Sequence, residues 1–160
     1  MKLYAMNTYP GENPSHRVRD LLCKVLDLDT LPELCINAQG KPYLPEGPQF
    51  SLSHTRGAVA VAIGKSSVGV DVEHIRPLRE DLPRRVLSRE EYAWFQSRGQ
   101  RPEDFFTLWT LKESYYKYLG TGLPGFPNKT EFYLEGGLWY LRGAAQRFYV
   151  RKKGELLLAR

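Results

Sequence analysis

Residues 68–73 read Val-Gly-Val-Asp-Val-Glu, and the rest of the chain is organised around them. Valine alternates strictly with small or acidic residues, which is the period of a half-buried β-strand. Asp71 and Glu73 therefore share one face. Two neighbouring carboxylates repel each other unless a cation lies between them. The stretch is compatible with a Mg²⁺ site built from oxygen ligands, or with a strand end whose acids meet solvent or the nearby Arg76 and Arg79.

Length and composition are those of an ordinary globular domain. The chain has 160 residues, 42% of them hydrophobic and 26% charged, which suffices to bury a core without disulfides. No apolar run approaches the roughly 20 residues that cross a bilayer, and the start of the chain lacks the layout of a signal peptide. We therefore expect a cytoplasmic protein with no membrane contact. The net charge of +5 favours a polyanionic partner: nucleic acid, a phosphate-rich cofactor or an acidic protein.

The first half of the chain predicts several strands and one helix. Ser15 is the expected N-cap of a helix that runs to about Leu28. Strand patterns cover residues 2–7, 33–37, 50–54, 58–63 and 68–73.

The second half begins with helices and ends with strands. Ser88 and Glu91 form a capping-box pattern that opens a helix to about Ser97. A longer helix is expected from about Glu103 to Leu119, followed by an antiparallel meander.

The predicted fold class is α+β. We expect two similar lobes, residues 1–76 and 77–160, each with a helix packed on an antiparallel sheet. A pseudo-twofold axis would relate the lobes, and the active site would lie in the cleft between them.

Glu113 and Lys117 lie four residues apart on the longer predicted helix and share one face. Such a pair is commonly a surface salt bridge worth ~0.3–0.5 kcal/mol. If the helix packs near Asp71 and Glu73, however, Glu113 completes a three-carboxylate metal site, and Lys112 and Lys117 supply charge for phosphate oxygens. Phosphoryl transfer requires such positioned cations and a base near the attacking hydroxyl, for which Glu113 is the candidate.

Four motifs occur in order along the chain. They are Gly40-Lys41-Pro42, then Phe50-Ser51-Leu52-Ser53-His54, then Gly69-Val70-Asp71-Val72-Glu73, then Trp109-Thr110-Leu111-Lys112-Glu113-Ser114 with Lys117 and Gly120-Thr121-Gly122-Leu123. Their order and spacing resemble the signature of the 4′-phosphopantetheinyl transferases, in the larger pseudo-dimeric Sfp type rather than the small trimeric type. The resemblance covers about Arg17 to Leu123. The chain starts later than typical Sfp-type members and lacks a stretch that often brings more basic residues to coenzyme A, so the resemblance leaves open how tightly the adenosine end is held.

The resemblance implies an enzyme activity. Members of this family move the phosphopantetheine arm of coenzyme A onto a serine of an acyl or peptidyl carrier protein and release adenosine 3′,5′-bisphosphate. By resemblance, this chain is a holo-[acyl-carrier-protein] synthase that uses Mg²⁺, or Mn²⁺, which accepts the same ligands. Its partner would be an acidic carrier protein of fatty-acid, polyketide or nonribosomal peptide synthesis. We also expect a monomer that binds no nucleic acid.

The resemblance also implies roles for matching residues. Asp71, Glu73 and Glu113 would hold the metal, and Glu113 or a water on the metal would accept the serine proton. Glu91 matches an acid near the metal in some members, although its capping box offers a structural explanation. The implied catalytic set is Glu113, Lys117 and Asp71, and the implied coenzyme A contacts are Arg17, Lys41, Ser53, His54, Asp71, Lys112 and Lys117.

Two other interpretations remain open. The pI of 9.2 and the aromatic residues among basic ones at residues 147–153 suit a basic nucleic-acid-binding module without catalysis. Carboxylates clustered where phosphates would bind argue against it. A degenerate member that acts only as a partner protein is the other, and the complete set of Asp71, Glu73, Glu113 and Lys117 argues against that.

Overall fold

A computed structural model describes residues 1–125, 127–144 and 146–160 of the chain. It contains four α-helices, one 3₁₀ turn and eleven strands in that part of the chain. In chain order they are β1 (Lys2–Asn7), α1 (Pro14–Val25), β2 (Cys35–Ile36), β3 (Pro42–Tyr43), β4 (Gln49–Thr55), β5 (Ala58–Gly64), β6 (Asp71–His74), α2 (Leu82–Val86), α3 (Arg89–Ser97), α4 (Pro102–Leu119), the 3₁₀ turn (Pro127–Lys129), β7 (Phe132–Glu135), β8 (Leu138–Leu141), β9 (Arg147–Phe148), β10 (Val150–Lys153) and β11 (Leu156–Ala159).

The strands form small antiparallel sheets, which confirms the predicted α+β class. The sheet β1-β5-β4 packs against α1, and Leu22 of α1 lies in a buried cluster with Val59 and Val61 of β5. β2 pairs with β3, and β7, β8 and β9 form a separate meander. Within the described ranges, no helix has both the length and the apolar character needed to cross a bilayer.

The sheet β10-β11-β6 joins the middle of the chain to its end. Asp71 of β6 lies opposite Ala159 of β11, so one sheet contains strands from both sides of the predicted boundary at residue 76. Helix α4 packs against both strands. The similarity of two lobes and their twofold axis stay predictions.

Helices α3 and α4 agree with the sequence patterns. Ser88 caps α3, and both bonds of its capping box with Glu91 are present. α4 ends at Gly120, which adopts a left-handed conformation with φ of 73°, a conformation that glycine reaches without steric cost.

The start and end of α1 differ from the prediction. Asn13, rather than Ser15, is the N-cap, and its side chain accepts a hydrogen bond from the backbone N–H of Ser15. Pro14 then occupies the first helical position, where a missing N–H has no cost. The helix ends at Val25 instead of Leu28, because Asp27 adopts a positive φ of 56°.

The strand predicted at residues 68–73 is hydrogen-bonded as a strand only from Asp71 onward. The reason is that the backbone N–H of Val70 donates to the Ser51 hydroxyl at 3.1 Å instead of to a neighbouring strand. The alternation nevertheless holds, since Val68, Val70 and Val72 share one buried cluster.

Candidate active site

Residues 68–74 reach α4 through a close approach at Gly69. A Cβ atom on Gly69 would lie 1.9 Å from the Ser114 carbonyl oxygen and 2.7 Å from the Tyr118 backbone nitrogen, distances that no side chain tolerates. Glycine thus lets the backbone lie directly against the helix. This approach places Asp71 beside the face of α4 that carries Lys117.

Asp71 is the buried centre of the site, with 3% of its surface exposed. Its Oδ1 accepts hydrogen bonds from Lys117 Nζ at 2.6 Å and from Ser53 Oγ at 2.8 Å. Its Oδ2 is buried and has no hydrogen-bond partner in the described part of the chain. Burial raises the pKa of Asp71, although the Lys117 ammonium acts in the opposite direction. An unsatisfied buried carboxylate oxygen is costly and marks a place for a cation or a donor.

The hydroxyl of Ser53 holds this pair in place. It donates to Asp71 Oδ1 and accepts from Lys117 Nζ at 3.0 Å and from the backbone N–H of Val72 at 3.2 Å. One donor and two acceptors are the whole capacity of a hydroxyl group. Ser53 therefore fixes both charged groups relative to β6.

Glu113 lies one turn before Lys117 and is half-buried. The pKa of Glu113 is raised to about 7, chiefly by burial and also by the negative charges of Asp71 and Glu73, while the Lys117 charge acts to lower it. These influences show that Glu113 is close enough to Asp71 and Glu73 to interact electrostatically. A carboxyl group with a pKa near neutrality is suited to accept or release a proton at neutral pH.

Glu73 has both of its oxygens engaged. Oε1 accepts from the Trp109 indole N–H at 2.9 Å, and Oε2 accepts from Arg76 Nη1 at 2.9 Å. The sequence left two interpretations of the acids at residues 71 and 73, a metal site or contact with solvent or a nearby arginine. The contact of Glu73 with Arg76 matches the second.

The residues fit a magnesium ion in part. No group of three metal-ligating side chains is already assembled within the described residues. Asp71 Oδ2 is buried without a partner in the described part of the chain, and Glu113 is a second carboxylate whose pKa the Asp71 charge influences. Mg²⁺ usually takes one or two protein carboxylates and fills its other positions with waters and phosphates. Asp71 and Glu113 thus fit the ion, whereas Glu73 is occupied by Trp109 and Arg76.

Lys41 connects two elements of the site. Its Nζ donates to the carbonyl oxygens of Lys117 at 2.6 Å and of Val68 at 3.2 Å. A cation at the last turn of a helix is favourable, and burial lowers the pKa of Lys41. Lys41 and Lys117 also line one cavity of about 190 Å³ together with Ser51.

His54 and Arg17 lie near the start of α1. His54 is exposed, and its Nε2 is 3.2 Å from the Ser15 hydroxyl. Arg17 Nε is 3.3 Å from Glu12 Oε1, and its Nη1 is 3.5 Å from Asp20. The His54 imidazole and the Arg17 guanidinium thus contact residues near the protein surface rather than Asp71.

In the described part of the chain, Lys112 forms no ion pair with the predicted metal ligands Asp71, Glu73 and Glu113. Its side chain is fully buried and pairs with Glu91 Oε2 at 2.8 Å. It also donates to the carbonyl oxygens of Pro127 and Thr130, so its three N–H donors are used within the protein. We therefore do not propose Lys112 as a coenzyme A contact.

Glu91 completes the buried pair. It accepts from the backbone N–H groups of Ser88 and Phe132, each at 2.8 Å. Burial raises the pKa of Glu91 and lowers that of Lys112, while their mutual attraction opposes both changes. Of the two explanations for Glu91, the observed contacts are those of a cap and a buried ion pair.

Two residues of the site were not predicted from the sequence. Trp109 entered the sequence analysis only as the first residue of a motif, yet its indole N–H donates to Glu73 Oε1. The need of a buried indole N–H for an acceptor was the available signal. Gly69 was seen only as part of the alternation, although a glycine within a strand often marks a close backbone approach.

Comparison with known proteins identifies the family of this chain. Residues 67–148, half of the chain, match the family described as the 4′-phosphopantetheinyl transferase superfamily. The chain therefore belongs to that superfamily, which confirms the resemblance drawn from the motifs.

Individual relatives are of the Sfp type. The chain is 37% identical over 89 residues to the 4′-phosphopantetheinyl transferase gsp of Aneurinibacillus migulanus, covering 54% of this chain and 38% of that protein. It is 34% identical to a 4′-phosphopantetheinyl transferase of Bacillus subtilis (55% and 41% covered) and 32% identical to Sfp of Bacillus subtilis strain 168 (52% and 39%). The matched segment thus spans about two fifths of the length of each relative.

Proposed function

We propose that this protein transfers the 4′-phosphopantetheine group of coenzyme A to a serine of an acyl or peptidyl carrier protein and releases adenosine 3′,5′-bisphosphate. The observation that carries the proposal is the buried, unpaired Asp71 Oδ2 beside Glu113 and Lys117. Family membership supports the same chemistry. Relatives are named for this transfer.

Glu113 is the proposed proton acceptor. Its pKa of about 7 means that a large fraction is ionised at neutral pH while the group retains enough basicity to take the serine proton. The serine oxygen then forms a bond to the phosphorus of the phosphopantetheine arm, and the bond from that phosphorus to the departing bisphosphate breaks.

Lys117 is the proposed cation for the pyrophosphate. Its ammonium is held by Asp71 and Ser53 but remains 30% exposed, so it has room to donate to a phosphate oxygen. Positioned positive charge is the main requirement of phosphoryl transfer.

Asp71 and Glu113 would hold Mg²⁺. Glu73, the third carboxylate of the predicted set, would join them only by giving up its contact with Trp109 or Arg76. The bound ion would supply positive charge against the pyrophosphate oxygens. Lys41, His54 and Arg17 are the proposed contacts of coenzyme A away from the reacting phosphorus. The proposed partner is an acidic carrier protein, which the net charge of +5 favours.

The test is the intact mass of a panel of apo carrier proteins after incubation with this protein, coenzyme A and Mg²⁺. We expect a gain of one phosphopantetheine group on at least one carrier, and no gain with EDTA or with Glu113→Gln. Glu80→Gln is the matched control, because Glu80 is exposed and lies outside the site. Absence of both mass gain and coenzyme A binding would refute the proposal and favour the nucleic-acid module.

A further inference from the structure

A second cavity lies against α4 at Ser114 and Tyr118, and Lys117 does not line it. It has a volume of about 1030 Å³ and is bounded by β1, the end of α1, the link from β5 to β6, α4 and β9. This volume is at the upper end of the range of roughly 300–1,000 Å³ that is typical of small-molecule sites. None of the residues proposed to bind the metal or coenzyme A or to act in catalysis lines it.

The walls of this cavity are mostly apolar. Apolar side chains from α1, β5, α4, β9 and the link between β5 and β6 contribute to them. These side chains are Val25, Leu26, Ile63, Val68, Tyr118 and Phe148. An apolar cavity of this size is unfavourable when filled with water, because its surface offers water few hydrogen bonds. The walls therefore suit the apolar part of a ligand.

The charged groups at this cavity are all cationic. Lys2, Lys65, Arg147 and Arg160 line it, and among the described lining residues none is acidic. Lys2, Lys65 and Arg147 form no ion pair in the described part of the chain. Like charges around one apolar space repel each other unless an anion joins them.

From this combination we propose that the cavity binds an amphipathic anion, a molecule with a long apolar chain and a carboxylate or phosphate head. The chain would occupy the apolar walls, and the head would pair with Lys65 and Arg147. Charge-assisted hydrogen bonds of this kind are the strong ones. The site is separate from the proposed coenzyme A site and does not depend on the proposed transferase activity.

Gly69 makes the cavity observable. The backbone of Gly69 touches α4 at Ser114 and Tyr118, and all three residues line the cavity. A ligand in the cavity should therefore shift the backbone amide signals of Gly69 and Tyr118, which serve as reporters that need no enzymatic assay.

The experiment is an NMR titration of the full chain with dodecanoate and with dodecyl phosphate, each below its critical micelle concentration. Dodecyltrimethylammonium, with the same chain and the opposite charge, is the control ligand. We expect both reporter amides to shift with the anions and not with the cation. The stronger of the two anions identifies the preferred head group.

Two charge-reversed proteins localise the site. The double variant Lys65→Glu/Arg147→Glu should bind the anions at least roughly tenfold more weakly. Arg89→Glu, an exposed residue of α3 that does not line the cavity, should bind as the wild type does. Both substituted side chains are exposed, so the fold should persist, and the wild-type comparison of anion with cation stands without them.

Three results would overturn the proposal. They are equal binding of the cationic and anionic probes, undiminished binding by the double variant, and no shift of either reporter amide with either anion. An acidic peptide that shifts these amides when neither anion does would replace the small ligand with a protein partner, which also overturns it.

Discussion

Two lysines of α4, Lys112 and Lys117, each pair with a carboxylate from another element, and the two pairs differ in what surrounds them. Lys112 and Glu91 are both fully buried, and every oxygen and N–H donor of the pair has a partner within the protein. Lys117 is 30% exposed, and its partner Asp71 keeps one buried oxygen unpaired. The first arrangement is complete without a ligand, whereas the second leaves both a cation and a carboxylate oxygen available for one.

The Glu91–Lys112 pair has a structural role, whereas the Asp71–Lys117 pair is suited to binding a ligand. A buried pair with all hydrogen bonds made contributes to a specific packing, and breaking it leaves an uncompensated charge. An open pair gains its missing partners from a ligand. Sequence alone could not separate these cases, because both lysines occur in one motif on one helix.

The largest expected effect comes from Asp71→Asn. Removing this charge releases Lys117 and takes away a proposed metal ligand, so the transferase rate should fall roughly 10²–10³-fold. The melting temperature of this variant should stay within about 4 °C of that of the wild type, because neutralising a buried carboxylate removes its desolvation cost and so offsets the lost pair with the partly exposed Lys117. Initial rates by intact mass, together with thermal unfolding, measure both. A wild-type rate would contradict the functional role of the open pair.

Glu91→Gln makes the corresponding change in the closed pair. It leaves the Lys112 ammonium buried without its counter-charge, so the free energy of unfolding should drop by about 3–5 kcal/mol. Urea denaturation checks this value. The folded variant should retain the transferase rate, and a large loss of rate without loss of stability would assign Glu91 to the active site.

Gly69→Ala should push the backbone before Asp71 away from α4 and leave the Glu91–Lys112 pair unchanged. The new methyl group collides with the Ser114 carbonyl, so we expect a destabilisation of about 1–3 kcal/mol and a loss of activity. Gly125→Ala is the matched control, since its Cβ meets open space and its φ is not positive. Equal stability of the two variants by urea denaturation would show that the approach at Gly69 is not tight.

The pH dependence of stability should reveal the raised pKa of Glu113. The pKa of Glu113 in the folded protein, about 7, lies above its ordinary value of 4.5. Its contribution to stability is therefore present below pH 4.5 and is lost as the pH rises through 7. In metal-free protein, Glu113→Gln should gain stability relative to wild type over this window, by roughly 1–3 kcal/mol after allowance for solvent screening. A constant difference across the window, by chemical denaturation, would contradict the raised pKa.

Local patterns predicted the elements of the fold well. The capping box at Ser88, the glycine stop of α4 at Gly120 and the alternation at residues 68–73 all depend on neighbours within a few residues, which is why the sequence shows them. The N-cap of α1 was placed two residues late, because Asn13 and Ser15 are both good caps and only the position of Pro14 decides between them.

The site was predictable only as far as its motifs are local. Strand alternation singled out Asp71, helical spacing singled out Glu113 and Lys117, and the family motifs then implied their roles. The structure joins Lys117 to Asp71 by a hydrogen bond. The inward direction of Lys112 and the hydrogen bond from Trp109 to Glu73 depend on how α4 is rotated against its neighbours. That rotation is set by packing across distant parts of the chain, which no local pattern encodes.

The most direct test of the account compares the transferase rates of two proteins by intact mass, below the melting temperature of each. Lys117→Met removes the cation of the open pair. The double variant Glu91→Gln/Lys112→Met replaces the closed pair with neutral groups, a change that buried pairs often tolerate. We predict that Lys117→Met loses the rate and that the folded double variant keeps it. A double variant as inactive as Lys117→Met, or a Lys117→Met protein as active as the wild type, would contradict the assignment of function to the open pair.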